Sequence, residues 1–199
     1  MNRFAMTHNQ KLTRCLLALC STALLAGCGL LTTGGSSNRT PMVQAITAAD
    51  KVAMLPVANF TDVPQAGLRV EALLESALRQ SGLRQLVVYP PALNPETLFE
   101  PSERKAQAEA EKWAKAQGVR YVVSAAVNEW RYKVGVDGEP AVGMMLQVKD
   151  LSNDQVVYSS AGGRTGGSRE ALSAVGLQLT TELVAGIRVE QAGTPAKTR

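Results

Sequence analysis

The sequence predicts a single α/β domain in which a mixed β-sheet is packed with helices. Two observations support this fold class. In the first half of the domain, apolar runs short enough for buried strands alternate with helical periodicities; in the second half, three strand-like segments follow one another before a last helix. The predicted element order is β-α-β-α-β-β-β-α, which combines parallel and antiparallel pairing. We assign the domain to residues 47–190.

The first half contains two predicted strand–helix units. The apolar runs 51–57 and 86–89 predict the two strands. Between them, a helix is predicted to begin in a capping box formed by Asp62 and Gln65, and to end at Gly82. The core-facing residues of this helix recur at helical spacing: Val70, Leu73, Leu74, Ala77 and Leu78.

The second helix is predicted to run from Ser102, its N-cap, to Gln117, with Gly118 closing it. Trp113 lies on its apolar face and is expected in the core. The last helix is predicted to be capped by Ser168. Its core-facing residues are Leu172, Val175, Leu179, Leu183 and Ile187.

Three strand candidates lie between these two helices, at residues 119–133, 142–149 and 155–161. Turn-forming pairs separate them, namely Asp137-Gly138 and Asn153-Asp154. This succession predicts a three-stranded meander.

The N-terminus has the layout of a secretory signal. A basic start is followed by an apolar run that is too short to span a bilayer of about 30 Å, and then by Leu25-Ala26-Gly27-Cys28. This string resembles the lipobox of bacterial lipoproteins, whose cysteine is lipidated and becomes the first mature residue. We therefore assign residues 1–27 to a lipoprotein signal peptide. The alternative is an ordinary signal peptide with an incidental cysteine.

Two polar segments flank the domain. Residues 28–46 are assigned to the lipidated N-terminus and a flexible tether rich in glycine, serine and threonine, and residues 191–199 to a polar tail. Lipid chains on Cys28 would hold the domain at a membrane. The next residue is Gly29 rather than aspartate, which by resemblance to the sorting rule of enteric lipoproteins favours the periplasmic face of the outer membrane.

Cleavage before Cys28 changes the composition from which function is inferred. Three basic residues leave, so that 18 basic residues (21 − 3) stand against 17 acidic ones, and the charge of the mature chain gives no case for nucleic-acid binding. His8, the only histidine, leaves as well, which removes the common zinc sites and the Ser-His-Asp and Cys-His arrangements. We expect no enzyme, no metal and no cofactor; a carboxylate-based hydrolase is the enzymatic alternative.

A glycine-rich segment, 162–168, precedes the last helix. Its backbone amides could bind an anion at the helix N-terminus, although its spacing matches neither the Walker loop nor the dinucleotide fingerprint. The alternative is a flexible connection between strand and helix.

The end of the third strand alternates between two faces. Glu129, Arg131 and Lys133 share one face, which indicates that the strand end projects beyond the core. On the other face, Trp130 and Tyr132 either fold back onto the domain or meet a partner or the membrane headgroups, where aromatic side chains are favoured.

At Glu129-Trp130-Arg131-Tyr132-Lys133 and at 137–143 the sequence resembles the PelC family, outer-membrane lipoproteins of the Pel exopolysaccharide export apparatus. Further similar strings extend the resemblance over nearly the whole mature domain: 54–82, Tyr89-Pro90, Trp113 and 168–173. More loosely, the element order is similar to the CsgG periplasmic domain and the TolB N-terminal domain.

The resemblance implies a non-enzymatic component of exopolysaccharide export and biofilm formation. Family members are expected to form a homo-oligomeric ring beneath the outer membrane. An acidic funnel in the ring would guide a cationic polysaccharide to a PelB-like porin. The alternative function is a monomeric periplasmic scaffold lipoprotein that binds one protein partner.

The acids best placed for polymer guidance are Asp137 and Glu139 in the turn after the projecting strand, with Glu129 next; the alternative is that they are solvated turn residues. One feature departs from the family. Members of the family are expected to carry a lipid-contacting tryptophan in the loop before the last helix. This chain has Gly166-Gly167-Ser168 there, with no aromatic residue. Either Trp130 takes that role or membrane contact depends on the lipid chains alone.

Overall fold

The computed structural model of this protein describes residues 35–93, 103–135 and 138–190. The strands in these ranges are β1 (Gly35–Arg39), β2 (Ile46–Thr47), β3 (Val52–Met54), β4 (Ala58–Asn59), β5 (Leu86–Val88), β6 (Tyr121–Tyr132), β7 (Pro140–Asp150), β8 (Gln155–Thr165) and β9 (Val189–Glu190). The helices are α1 (Ala66–Gln80), α2 (Glu103–Ala116) and α3 (Leu172–Val184), with a 3₁₀ turn at Pro91–Leu93.

The main sheet has the order β1-β8-β7-β6-β3-β5, and β4 continues beside β6. Strand β3 is parallel to β5 and β6, whereas the neighbouring pairs β6–β7, β7–β8 and β8–β1 are antiparallel. Strands β2 and β9 form a separate parallel pair. The predicted fold class, a mixed sheet packed with helices, is confirmed, and the predicted meander is formed by β6, β7 and β8.

The two faces of the main sheet are covered to different extents. Helices α1 and α3 pack on one face, where they bury Leu74, Leu179 and Leu183 with Tyr121, Tyr158 and Leu146 of the strands. Helix α2 packs on the other face, through Ala110, Ala114 and the half-buried Trp113, against β3 and the start of β6. Trp113 meets Tyr89 edge to face at 5.2 Å between ring centroids.

A break between β3 and β4 is held by two side chains from helices. Glu71 of α1 accepts a hydrogen bond from the backbone N–H of Val57 at 2.9 Å, and Gln107 of α2 donates to the carbonyl of Pro56 at 2.9 Å. Burial raises the pKa of Glu71, and the hydrogen bond from Val57 partly opposes this rise. The break therefore keeps its backbone groups paired although proline interrupts the strand.

Two of the three predicted helix caps are wrong, and the third, Ser102, lies outside the described residues. Helix α1 follows Gln65, which has a left-handed φ of 59° and no capping side-chain hydrogen bond, and α3 follows Ala171, also without one. The segment before α1 is held by Asn59, whose side-chain oxygen accepts hydrogen bonds from the N–H and hydroxyl of Thr61. The predicted closing residues behave as expected, because Gly82 and Gly118 have φ values of 100° and 66°.

The structure also differs from two predicted boundaries. Residues 35–39, expected in the tether, form the edge strand β1, and residues 162–165, expected in a loop, extend β8 and pair with β1 and β7. Gly162 makes this pairing possible, because a Cβ there would lie 2.8 Å from the carbonyl oxygen of Ser36. Residues 28–34 and the tail 191–199 lie outside the described residues. Among the helices of the described ranges, none is both long and apolar enough to cross a bilayer.

Asp150 is the last residue of β7. Its side chain is 3% exposed and lies 3.3 Å from the guanidinium of Arg120, while its other oxygen accepts hydrogen bonds from the N–H and the hydroxyl of Ser152. Burial alone would raise the pKa of Asp150, but the hydrogen bonds from Ser152 and the charge of Arg120 bring it below its usual value.

We predict that Asp150→Asn lowers the free energy of unfolding at pH 7 by about 2 kcal/mol, since it removes the buried carboxylate to which Arg120 and Ser152 donate. A lowered pKa in the folded state stabilises the protein above the unfolded-state pKa near 4, and this contribution is lost as the pH falls through the folded-state pKa. The gap between variant and wild type, measured by urea unfolding, should therefore narrow at pH 3. Asp154→Asn, at an exposed carboxylate, is the control; an equal loss in both variants would contradict the prediction.

Candidate functional site

A β-bulge lies just before the predicted projecting strand end. Val127 pairs with Met144 and Glu129 pairs with Gly143, so Asn128 is the extra residue on β6. The bulge reverses the alternation of side chains, because Val127 and Trp130 both face the core although they are three residues apart. Glu129 points to the opposite face, where the Cβ of Glu129 is 3.3 Å from the position a Cβ would take at Gly143.

Trp130 is a core residue. Its side chain is 3% exposed and packs between α1 and α3, with ring atoms 2.7 Å from the position that a Cβ at Gly176 would occupy. Its indole N–H has no hydrogen-bond partner among the described residues. Of the two alternatives for Trp130, the structure shows the one in which the side chain folds back onto the domain, because the bulge turns it inwards. In the subunit Trp130 is therefore not an exposed aromatic available to an interface or to the membrane.

Tyr132 and Val134 are the exposed apolar residues of the β6–β7 hairpin. Tyr132 is 50% exposed, and its hydroxyl accepts a hydrogen bond from the N–H of Leu172 at 3.2 Å, which pairs one free donor of α3. Val134 is fully exposed. The N–H of Lys133 donates to the carbonyl of Glu139 at 2.7 Å and joins the two sides of the hairpin.

The predicted acids lie among basic residues. The carboxylate of Glu129 is 3.0 Å from Arg131, and Lys133 donates to the hydroxyl of Thr165 at 3.0 Å. Glu139 is exposed. Asp137 lies outside the described residues. The end of the sheet is therefore mixed in charge, and Glu129 is partly neutralised by its neighbour.

Two amides of the glycine-rich segment before α3 already have partners within the protein. The N–H of Gly166 donates to the carbonyl of Pro140 at 2.9 Å, and the N–H of Gly167 donates to the carboxylate of Glu170 at 2.7 Å. A side chain of the same turn therefore occupies the position in which an external anion would bind.

The opposite end of the sheet carries an ion-pair cluster that sequence analysis missed. Arg120 lies 3.3 Å from Asp150 and 3.6 Å from Asp50, and its guanidinium stacks 4.8 Å from the ring centroid of Tyr121. No pattern in the sequence joins these residues, because the sheet brings them together from three separate segments. The described residues contain no group of three or more potential metal ligands.

Comparison with known proteins gives a clear family. No family model and no curated protein matches the chain. Among solved structures, the PelC dodecamer from Paraburkholderia phytofirmans is 37% identical, with a TM-score of 0.66, and covers 79% of this chain and 100% of that chain. The chain belongs to the PelC family.

A second PelC dodecamer from the same organism, a variant in another crystal form, is also 37% identical, with a TM-score of 0.63, and covers 77% of this chain and 98% of that one. The resemblance to the PelC family seen in the sequence is thereby confirmed. The matched PelC chain is covered over its whole length.

We predict that Trp130→Ala lowers the free energy of unfolding by about 3–5 kcal/mol, because it opens a cavity between α1 and α3. Tyr132→Phe removes one hydrogen bond and should cost at most about 1 kcal/mol. Urea unfolding followed by circular dichroism measures both. If Trp130→Ala kept wild-type stability and lost only assembly, Trp130 would belong to an interface after all.

Proposed function

We propose that this protein is an outer-membrane lipoprotein of a Pel-type exopolysaccharide export system. Its domain forms a ring on the periplasmic face of the outer membrane, and the ring guides a cationic polysaccharide to a porin. The observation that carries the proposal is the 37% identity to a PelC dodecamer over the whole length of that chain. The role is mechanical and electrostatic, with no catalytic step.

Strand direction supports one orientation of the domain at the membrane. Strand β1 starts beside Arg164, at the hairpin end of the sheet. From a lipidated Cys28 to Gly35 there are seven residues, which reach at most about 25 Å whatever their conformation. Gly35 lies level with Trp130 of β6, through the paired strands between them. From Trp130 to the other end of the sheet, β6 extends over nine residues, about 30 Å. The tether is too short for an inverted domain, so the hairpin end faces the membrane.

The hairpin suits a position near lipid headgroups. Tyr132 and Val134 offer exposed apolar surface, and Arg131 and Lys133 offer positive charge between them. Because Trp130 is buried, Tyr132 is the aromatic residue of this hairpin that can contact the membrane.

The acids of the same hairpin would form a belt when a ring repeats them around its axis. Such a belt concentrates a cationic polymer by its field and needs no deep pocket. Glu139 and Asp137 are the stronger candidates, because the charge of Glu129 is partly neutralised by its ion pair with Arg131. A belt at the membrane-facing end would deliver the polymer next to a porin.

The second candidate function is a monomeric scaffold lipoprotein that binds one protein partner. Light scattering on the soluble domain separates the two. A closed ring supports the export collar, and a monomer at tens of micromolar supports the scaffold.

We predict that Cys28→Ser leaves a folded domain that no longer sediments with outer membranes, because the lipid chains are lost. Membrane fractionation with immunodetection measures this. Full retention of the variant in the membrane would mean that Cys28 is not the anchor or that a protein partner suffices to hold the domain.

We predict that Asp137→Asn combined with Glu139→Gln preserves lipidation, folding and assembly but lowers polysaccharide secretion several-fold. The control is Glu109→Gln combined with Glu190→Gln, which removes two exposed acids outside the hairpin. Normal secretion in the hairpin variant would exclude these two acids from polymer guidance. A lost ring would assign them to subunit contacts instead.

A further inference from the structure

Helix α3 exposes a surface without charge. Among its thirteen residues only Glu182 is charged, and that carboxylate pairs with Arg164 of β8. The residues on its outer side follow helical spacing: Ser173, Leu177, Thr181 and Ala185. Leu177, in the middle of this row, is 43% exposed. A helix facing water on one side ordinarily carries charged residues there, so this row has the composition of a surface that is covered.

The reverse face of the same strands is also uncharged. Helix α3 packs on β7 and β8, and alternate residues of these strands point away from it. On that side the central residues are small or neutral: Ser124, Gly143, Met145, Gln147, Ser159, Ala161 and Gly163. Met145 is 42% exposed. We call this set the reverse face. The core residues of α2 pack near β3 and the start of β6, and Met145 is left open.

Charged residues border the reverse face rather than cross it. At the hairpin end Glu129 pairs with Arg131 at 3.0 Å, and at the other end Lys149 pairs with Glu111 at 3.0 Å. Each of these charges already has a partner within the subunit. An uncharged centre inside a polar rim is the usual anatomy of a protein–protein interface.

We propose that the outer row of α3 in one subunit packs against the reverse face of a second copy of this chain. A closed ring needs a heterologous interface, in which two different surfaces of each subunit meet head to tail. The row and the reverse face satisfy this requirement, because they lie on opposite sides of the same strands. The reverse face is long enough to receive the row, because thirteen helical residues extend about 20 Å and the eleven-residue strands about 36 Å.

This inference rests on the proposed ring and names the surfaces that build it. The test uses two substitutions at exposed positions, Leu177→Glu and Met145→Glu, each of which puts a charge on one of the two surfaces. The control is Ala108→Glu on the exposed side of α2. Native mass spectrometry of the mature chain released from detergent gives the subunit number, and circular dichroism checks the fold.

We expect wild type and Ala108→Glu to form rings and each interface variant to be monomeric. A 1:1 mixture of the two variants should give heterodimers and no ring, because only one intact row and one intact reverse face remain per pair. Rings from either single variant would overturn the proposed interface and leave the proposed function standing. A monomeric wild-type chain would instead remove the ring and with it the proposed function.

Discussion

The extra residue at Asn128 is the constraint on which the hairpin end of the molecule depends. Without the bulge, the strict alternation of β6 would turn Trp130 away from Val127 and towards solvent. With it, the indole fills the space between α1 and α3, and Gly176 leaves room for the ring. The same register shift puts Glu129 on the reverse face beside Gly143, with Arg131 as its partner. One inserted residue therefore decides which side chains stabilise the domain and which remain on its surface.

Periodicity and turn chemistry predicted the larger part of the fold. The helical spacing of Val70, Leu74 and Leu78 and the three successive β-rich segments depend on burial patterns that a single sequence displays. The start of α3 was mispredicted because its free N–H group at Leu172 is paired by a residue distant in sequence, the hydroxyl of Tyr132 on β6. The length of β8 was underestimated for a related reason. Gly162 and Gly163 resemble a loop in sequence, but Gly162 lies in a strand and must be small because β1 pairs closely alongside it.

The candidate site could be predicted only in part. The hairpin acids are visible in the sequence because turn residues beside a charged strand end stand out, whereas the pairing of Glu129 with Arg131 depends on geometry. The bulge gives no local signal, since Val127-Asn128-Glu129 is compatible with a regular strand. The cluster of Arg120, Asp150 and Asp50 joins distant segments and could not be read from spacing at all.

The faces and the ends of the sheet have different parts in the proposed function. The outer row of α3 and the reverse face would meet neighbouring copies, so both must lack unpaired charge, because desolvating a charge without a partner is costly. The hairpin end would meet lipid and polymer, where charge is an advantage and remains solvated. Strand β1 connects the two requirements. It starts at the hairpin end, so the proposed lipid anchor, only seven residues away, would hold that end at the membrane and leave the faces free for assembly. In this arrangement an acid of the hairpin can change without affecting the ring, and a residue such as Leu177 can change without affecting the anchor.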